Sequence, residues 1–175
     1  MERVNKIINH PRYREYLDQI KKCEIERIFC KHDMVHFLDV CRIAENLWLQ
    51  HRLKGQEYNP KGTETFFHKE RYRELIYAAG LLHDIGRWQE YESGIRHEIA
   101  SAKLAPEILE QCGFDREETK EIIMAIENHR NRNVKEQVDL SGLLYRADKA
   151  SRACFACEAQ LLCDWSKEKK NLVLR

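Results

Sequence analysis

Helical periodicity is the feature that most constrains this chain. Apolar residues recur at intervals of three and four, and no stretch alternates apolar and polar residues as a half-buried strand does. Pro11 suits the first turn of a helix over Arg12–Cys23. A stripe of Val40, Ile43 and Leu47 predicts a helix over Asp33–Leu53. Leu75, Ile76, Ala78, Ala79, Leu81 and Leu82 give a helix over Phe66–Ile85 a broad buried face, and Gly86 stands where a C-terminal stop belongs. Further helices are expected over His97–Cys112, with a kink or break at Pro106, and from the N-cap Asp115 to about His129. The last is expected from Leu140 to about Leu162. Gly55–Thr65 and Gln89–Gly94 read as loops, and Asn131–Val138 as a polar connection. Only 7 Gly and 3 Pro are present, too few for a turn-rich β fold. The expectation is one all-α domain over residues 1–175, a bundle of about six helices.

Charge narrows the function. Thirty Lys and Arg against 29 Asp and Glu leave a net charge of +1, which argues against coating a nucleic-acid polymer or an anionic membrane. The N-terminal stretch is charged throughout, without the apolar core of a signal peptide, and no run approaches the ~20 apolar residues of a membrane span. A cytoplasmic protein is expected, in which the 7 Cys stay reduced or bind metal.

The 8 His carry more information. His36 is in helical register with Val40, Ile43 and Leu47; His83 with Ile76 and Ala79; His97 with Ala100, Leu104 and Ile108; His129 with Ile122 and Ile126. Asp148 is in register with Leu144 and Phe155. One inward His is more often a hydrogen-bonded core residue than a ligand. Four His and an Asp facing inward from five helices shift the balance, because one metal cluster in the bundle core satisfies them all together. Nitrogen and carboxylate donors suit Mn, Fe, Co, Zn or Mg.

Leu81-Leu82-His83-Asp84-Ile85-Gly86-Arg87 resembles the His-Asp signature of the HD-domain metal-dependent phosphohydrolases. His36 with the residues up to Ala44, Ala125-Ile126-Glu127-Asn128-His129 and Arg146-Ala147-Asp148-Lys149 are similar to that family's other elements, in its order. The likeness covers roughly residues 32–152. It implies one divalent ion at His36, His83, Asp84 and Asp148, and a second at His97 and His129 with Asp84 between the two. It implies a small phosphate ester as substrate, with a lean to a nucleotide or dinucleoside polyphosphate, attacked by water that the metal activates. Asp84, Arg87 and Lys149 are the expected catalytic residues, and Arg87, Lys149 and Arg152 the candidates for holding phosphate. Glu98 and Glu127 are candidate partners of His97 and His129. The Gly-Tyr-Pro extension of the cyclic-di-GMP phosphodiesterases is missing after His129. The rival readings are a di-iron oxygenase of the same superfamily and a non-catalytic module that keeps metal for folding.

His32, one turn before His36, reads as a ligand, a substrate contact or a helix-start residue, and these stay open. His10, His51 and His68 read as surface residues. Cys154 and Cys157 are spaced for one ion; with Cys163 and Cys30 they supply four thiolates, enough for structural zinc or an iron–sulfur cluster. The competing reading packs them as small apolar groups.

Overall fold

The computed structural model describes residues 1–54 and 66–173, with side chains in the second stretch from Lys69 onward. The expected Gly55–Thr65 loop and the side chain of His68 lie outside the described residues. Every regular element is helical: α1 (Glu2–Asn9), α2 (Pro11–Cys23), α3 (Met34–Leu53), α4 (Phe66–Leu82), α5 (Arg87–Ser93), α6 (His97–Gln111), α7 (Arg116–Asn128) and α8 (Leu140–Ala150), with short 3-10 turns between and after them. No strand occurs among the described residues.

The helices start where local chemistry satisfies their free N–H groups. Asp33 accepts from Val35 and His36 at the start of α3, and Asp139 from Gly142 at the start of α8. Asp115 and Glu118 close a capping box on α7. The core runs through α3, α4, α7 and α8, with Phe37, Val40, Ile76, Leu81, Leu82, Ile122, Ile126 and Leu143 all buried. α3 packs on α4 and α8, α7 on α4, α6 and α8, and α5 on α2 and α6.

The structure departs from the sequence expectation at four places. α1 was not expected; its Val4 and Ile7 are buried, and Arg3 ties it to Glu74 at 2.6 Å and to Glu118 at 2.7 Å. α5 replaces a loop read from its polar composition. α6 continues through Pro106 instead of breaking there. α8 ends at Ala150, about three turns early, so Phe155 is 48% exposed and is not in register with Asp148.

α4 ends at Leu82, and His83–Gly86 form a tight turn leading into α5. Gly86 has an ordinary φ of −88°, so it is not a left-handed stop. Its requirement is space: a Cβ there would lie 2.5 Å from the Ser101 backbone nitrogen and 2.6 Å from Ala100 Cβ. Its own N–H donates to Ser101 Oγ at 2.9 Å. This contact sets the His83-Asp84 turn against the start of α6, where His97 stands.

Candidate metal centre

Each expected ligand occupies or adjoins a helix end, and those ends meet. His36 opens α3, His83 and Asp84 follow α4, His97 opens α6, His129 closes α7, and Asp148 lies near the end of α8. Two adjacent residues of a regular helix point about 100° apart, so His83 and Asp84 can share a site only because the helix stops before them. The imidazoles then adjoin in a row, His36 tilted against His83 at 5.3 Å, His83 edge-on to His129 at 5.1 Å, and His129 tilted against His97 at 5.2 Å between centroids.

Asp84 is buried at the centre, and its two oxygens divide the histidines. Oδ2 lies 3.4 Å from His83 Nε2 and 3.7 Å from His36 Nε2. Oδ1 lies 3.2 Å from His97 Nε2 and 3.6 Å from His129 Nε2. Two groups able to hold an ion result, His36–His83–Asp84 and Asp84–His97–His129, with the carboxylate common to both. Asp148 lies outside both groups, its Oδ1 3.9 Å from His36 Nε2.

Whether these residues fit a divalent ion can be tested on their own bonding. His36 Nε2, His83 Nε2 and Asp84 Oδ1 are buried without a hydrogen-bond partner. Buried polar atoms are costly to leave unmatched, and these orphans, two imidazole nitrogens on one side of Asp84 and its Oδ1 on the other, are the unmet bonds that a cation in each group would satisfy. The other nitrogen of each ring is already engaged. His83 Nδ1 meets Gly80 O at 2.8 Å, His129 Nδ1 meets Ile126 O at 2.6 Å, His36 Nδ1 meets Ser151 Oγ at 3.3 Å, and His97 Nδ1 meets Glu90. A carbonyl can only accept, so His83 and His129 carry their proton on Nδ1 and present a lone pair at Nε2, as metal-ligating histidines do. Donors about 2.1 Å from a tetrahedral ion stand about 3.4 Å from one another, and the imidazole nitrogens here lie 3.2–3.7 Å from the Asp84 oxygens. The donor set fits.

The electrostatics agree. Burial would raise the Asp84 pKa, but His83 and His36 hold it well below the usual carboxylate value. Burial holds the His129 imidazole down at about 3, so this ring is neutral and able to ligate. Burial also lowers His97. His83 goes the other way: burial pulls it down, and the Asp84 charge more than offsets that.

Not every expected partner takes its expected place. Glu90, on α5, engages His97 Nδ1, whereas Glu98 binds Arg96 and lies 4.0 Å from that nitrogen. Glu127 is exposed, and the Ile126 carbonyl orients His129 instead. Arg87 reaches the site but is held by Glu90 at 2.9 Å and by Tyr91 at 3.2 Å, with one nitrogen 2.5 Å from His97 Nδ1. Lys149 pairs with Asp148 and donates to His129 O at 3.3 Å, and Arg152 lies 3.9 Å from Asp148. His32 is brought in: its Nε2 lies 3.7 Å from Asp84 Oδ2, and Glu24 accepts from its ring at 2.5 Å. Glu24 and Glu90 had no signal in the sequence, whereas the His-x-x-x-His spacing did point to His32. His10 is buried, not at the surface, accepting from Arg12 N–H at 3.2 Å and meeting Gln111 at 3.0 Å. His51 is half-buried against Arg146 at 3.2 Å.

Cys30, Cys154, Cys157 and Cys163 are all free thiols. Among the described residues, no three of them have sulfurs within 4.8 Å of one another, so they form no ligand group. Cys154 is buried, Cys157 and Cys163 are half-buried and Cys30 is exposed.

A family model described as HD domain matches residues 33–153. A protein of Clostridium beijerinckii (strain ATCC 51743 / NCIMB 8052), described as an uncharacterized protein, is 40% identical over 171 residues, covering 98% of this chain and 97% of its own. No solved structure gives a match. Among the described residues, no helix is long and apolar enough to cross a membrane.

Proposed function

The chain belongs to the HD-domain family, and on that premise we propose that it is a phosphohydrolase using two divalent ions to cleave a small phosphate ester, a nucleotide or dinucleoside polyphosphate being the favoured substrate. The observation that carries this reading is the division of the imidazoles between the two Asp84 oxygens, His83, His36 and His32 at Oδ2 and His97 and His129 at Oδ1. His36, His83, Asp84 and Asp148 would hold one ion, and Asp84, His97 and His129 the other. Bound divalent ions supply charge neutralisation at the non-bridging phosphate oxygens and make water acidic enough to act as a nucleophile near neutral pH.

The protein's own groups prepare that chemistry. The carbonyls of Gly80 and Ile126 lock two rings in the ligating tautomer, so no rearrangement is needed when an ion enters. Asp84, ionised by its surroundings, offers both oxygens at once. Arg87 lies beside Asp84 and His97 with its charge secured by Glu90, placed to attract a phosphate oxygen. Lys149 is a second cation within reach of that anion, now paired with Asp148.

The deciding experiment strips the purified protein of metal, reloads it separately with Mn, Fe, Mg, Co or Zn, and measures phosphate release from a nucleotide panel. Metal-dependent release that is lost in Asp84→Ala, together with bound metal, is the expected result. Oxygen uptake by the iron form without phosphate release would replace this reading with the oxygenase, and metal without either activity would leave a binding module.

A further inference from the structure

Outside Asp84, a second chain of bonds joins the two ligand groups. On one side His32 turns Nε2 to Asp84 Oδ2 at 3.7 Å and meets Glu24 through Nδ1 at 2.5 Å. On the other, His97 turns Nε2 to Asp84 Oδ1 at 3.2 Å and meets Glu90 through Nδ1. Each imidazole is thus backed by a carboxylate, and the two carboxylates are themselves linked. Arg87 donates through Nη1 to Glu90 at 2.9 Å and through Nε to the Tyr91 hydroxyl at 3.2 Å. Tyr91 donates its single proton to Glu24 at 2.6 Å.

Both ends of the Tyr91 bridge depend on polar contacts. Among the described residues, Glu24 is the one buried side chain between Ile20 and Phe37, so a carboxylate and not an apolar group anchors the segment that carries His32. Glu24 accepts from the His32 backbone N–H at 2.8 Å as well as from the ring, and Tyr91 ties it to α5, 67 residues along the chain. At the other end, the Arg87 guanidinium lies over the Tyr91 ring, 5.3 Å from its centroid. With Nε and Nη1 engaged, Nη2 bonds no described residue and is the edge left for an anion.

We propose that Tyr91 is a positioning residue of this site: its hydroxyl, shared between Arg87 and Glu24, holds the guanidinium that takes phosphate and the His32 imidazole in one fixed relation across the two ligand groups. The role given to Arg87 rests on the phosphohydrolase reading, whereas the path of bonds through Tyr91 does not. A phenol suits the place because one oxygen supplies both bonds, a lone pair to the cation and a proton to the anion, and each bond is charge-assisted. Phenylalanine keeps the ring beneath the guanidinium and removes both.

The test is Tyr91→Phe, with Arg87→Ala and the double variant beside it. Inorganic phosphate, as the probe, is titrated calorimetrically into the metal-loaded proteins. Tyr91→Phe is expected to keep the wild-type metal content by elemental analysis and to bind phosphate about tenfold more weakly, as for one loosened charge-assisted contact. The double variant is expected to bind no more weakly than Arg87→Ala, since the hydroxyl acts through that side chain. A second readout needs no metal: in nitrogen-edited spectra of the metal-free protein, the Arg87 Nε–H and His32 Nδ1–H resonances are expected to move together in Tyr91→Phe. Lost metal in Tyr91→Phe, additive losses of phosphate affinity, or either resonance unmoved would overturn the assignment. Hydrolysis of nucleotides with these effects missing overturns the role of Tyr91 alone. Phosphate binding with all of these effects, but no phosphate release from the nucleotide panel, overturns the phosphohydrolase reading alone.

Discussion

Asp84 gives the sharpest expectation at the scale of single residues. It is the one carboxylate common to both ligand groups. Asp84→Ala should lose metal from both halves while keeping its helical circular dichroism, whereas His97→Ala and His129→Ala should each lose about one ion by elemental analysis. Glu24 makes a different prediction. It is buried, burial would raise its pKa, and His32 with Tyr91 nevertheless brings it down to about 2. A carboxylate depressed by folding contributes stability that is present above its unfolded pKa and lost as pH falls through its folded one. Glu24→Gln should therefore cost about 1–3 kcal/mol near neutrality. The gap between variant and wild type in urea melts should narrow as pH falls from about 4.5 towards 2. A gap that is constant over that range would show that the charge of Glu24 is not what holds His32.

At the scale of elements, the turn after α4 joins sequence to site. The Gly86 N–H and its missing side chain let this turn approach the start of α6. Gly86→Ala should be destabilised by about 1–3 kcal/mol. It should also bind the second ion more weakly than the first, because the added methyl pushes His97 away from Asp84; equal loss of both ions in a metal titration would contradict this. The same element shows what the sequence made legible. Inward register pointed to His36, His83, His97, His129 and Asp148, of which His83, His97, His129 and Asp148 are buried, because a buried face repeats with the helical period and betrays any polar residue on it. Glu24 and Glu90 carried no such mark. Glu24 caps the end of α2 and Glu90 sits in the polar helix α5, and each meets its histidine, eight and seven residues on, through the way the chain turns between elements and not through any helical spacing. Phe155 continues the period of α8 beyond the point where the helix ends, and α1 shows the period over a single repeat, Val4 with Ile7 and Ile8.

For the whole molecule, metal and fold are linked through the helix ends. An ion that binds the folded chain and not the unfolded one raises stability with its concentration. Chelator treatment should thus lower Tm and replenishment restore it, with circular dichroism at 222 nm following both. The rise should be larger at pH 7.5 than at pH 5.5, because ligation needs neutral imidazoles and protons compete for them. Equal Tm with and without metal at both pH values would mean that the apolar core through α3, α4, α7 and α8 sets stability alone.

Sharing Asp84 also ties the two halves of the centre in time. A carboxylate with its charge already drawn to one side offers less attraction to the other, yet its orientation has been fixed in advance. Under the proposed two-ion reading, occupancy would follow a preferred order, and a protein carrying one ion would be a distinct species with its own charge.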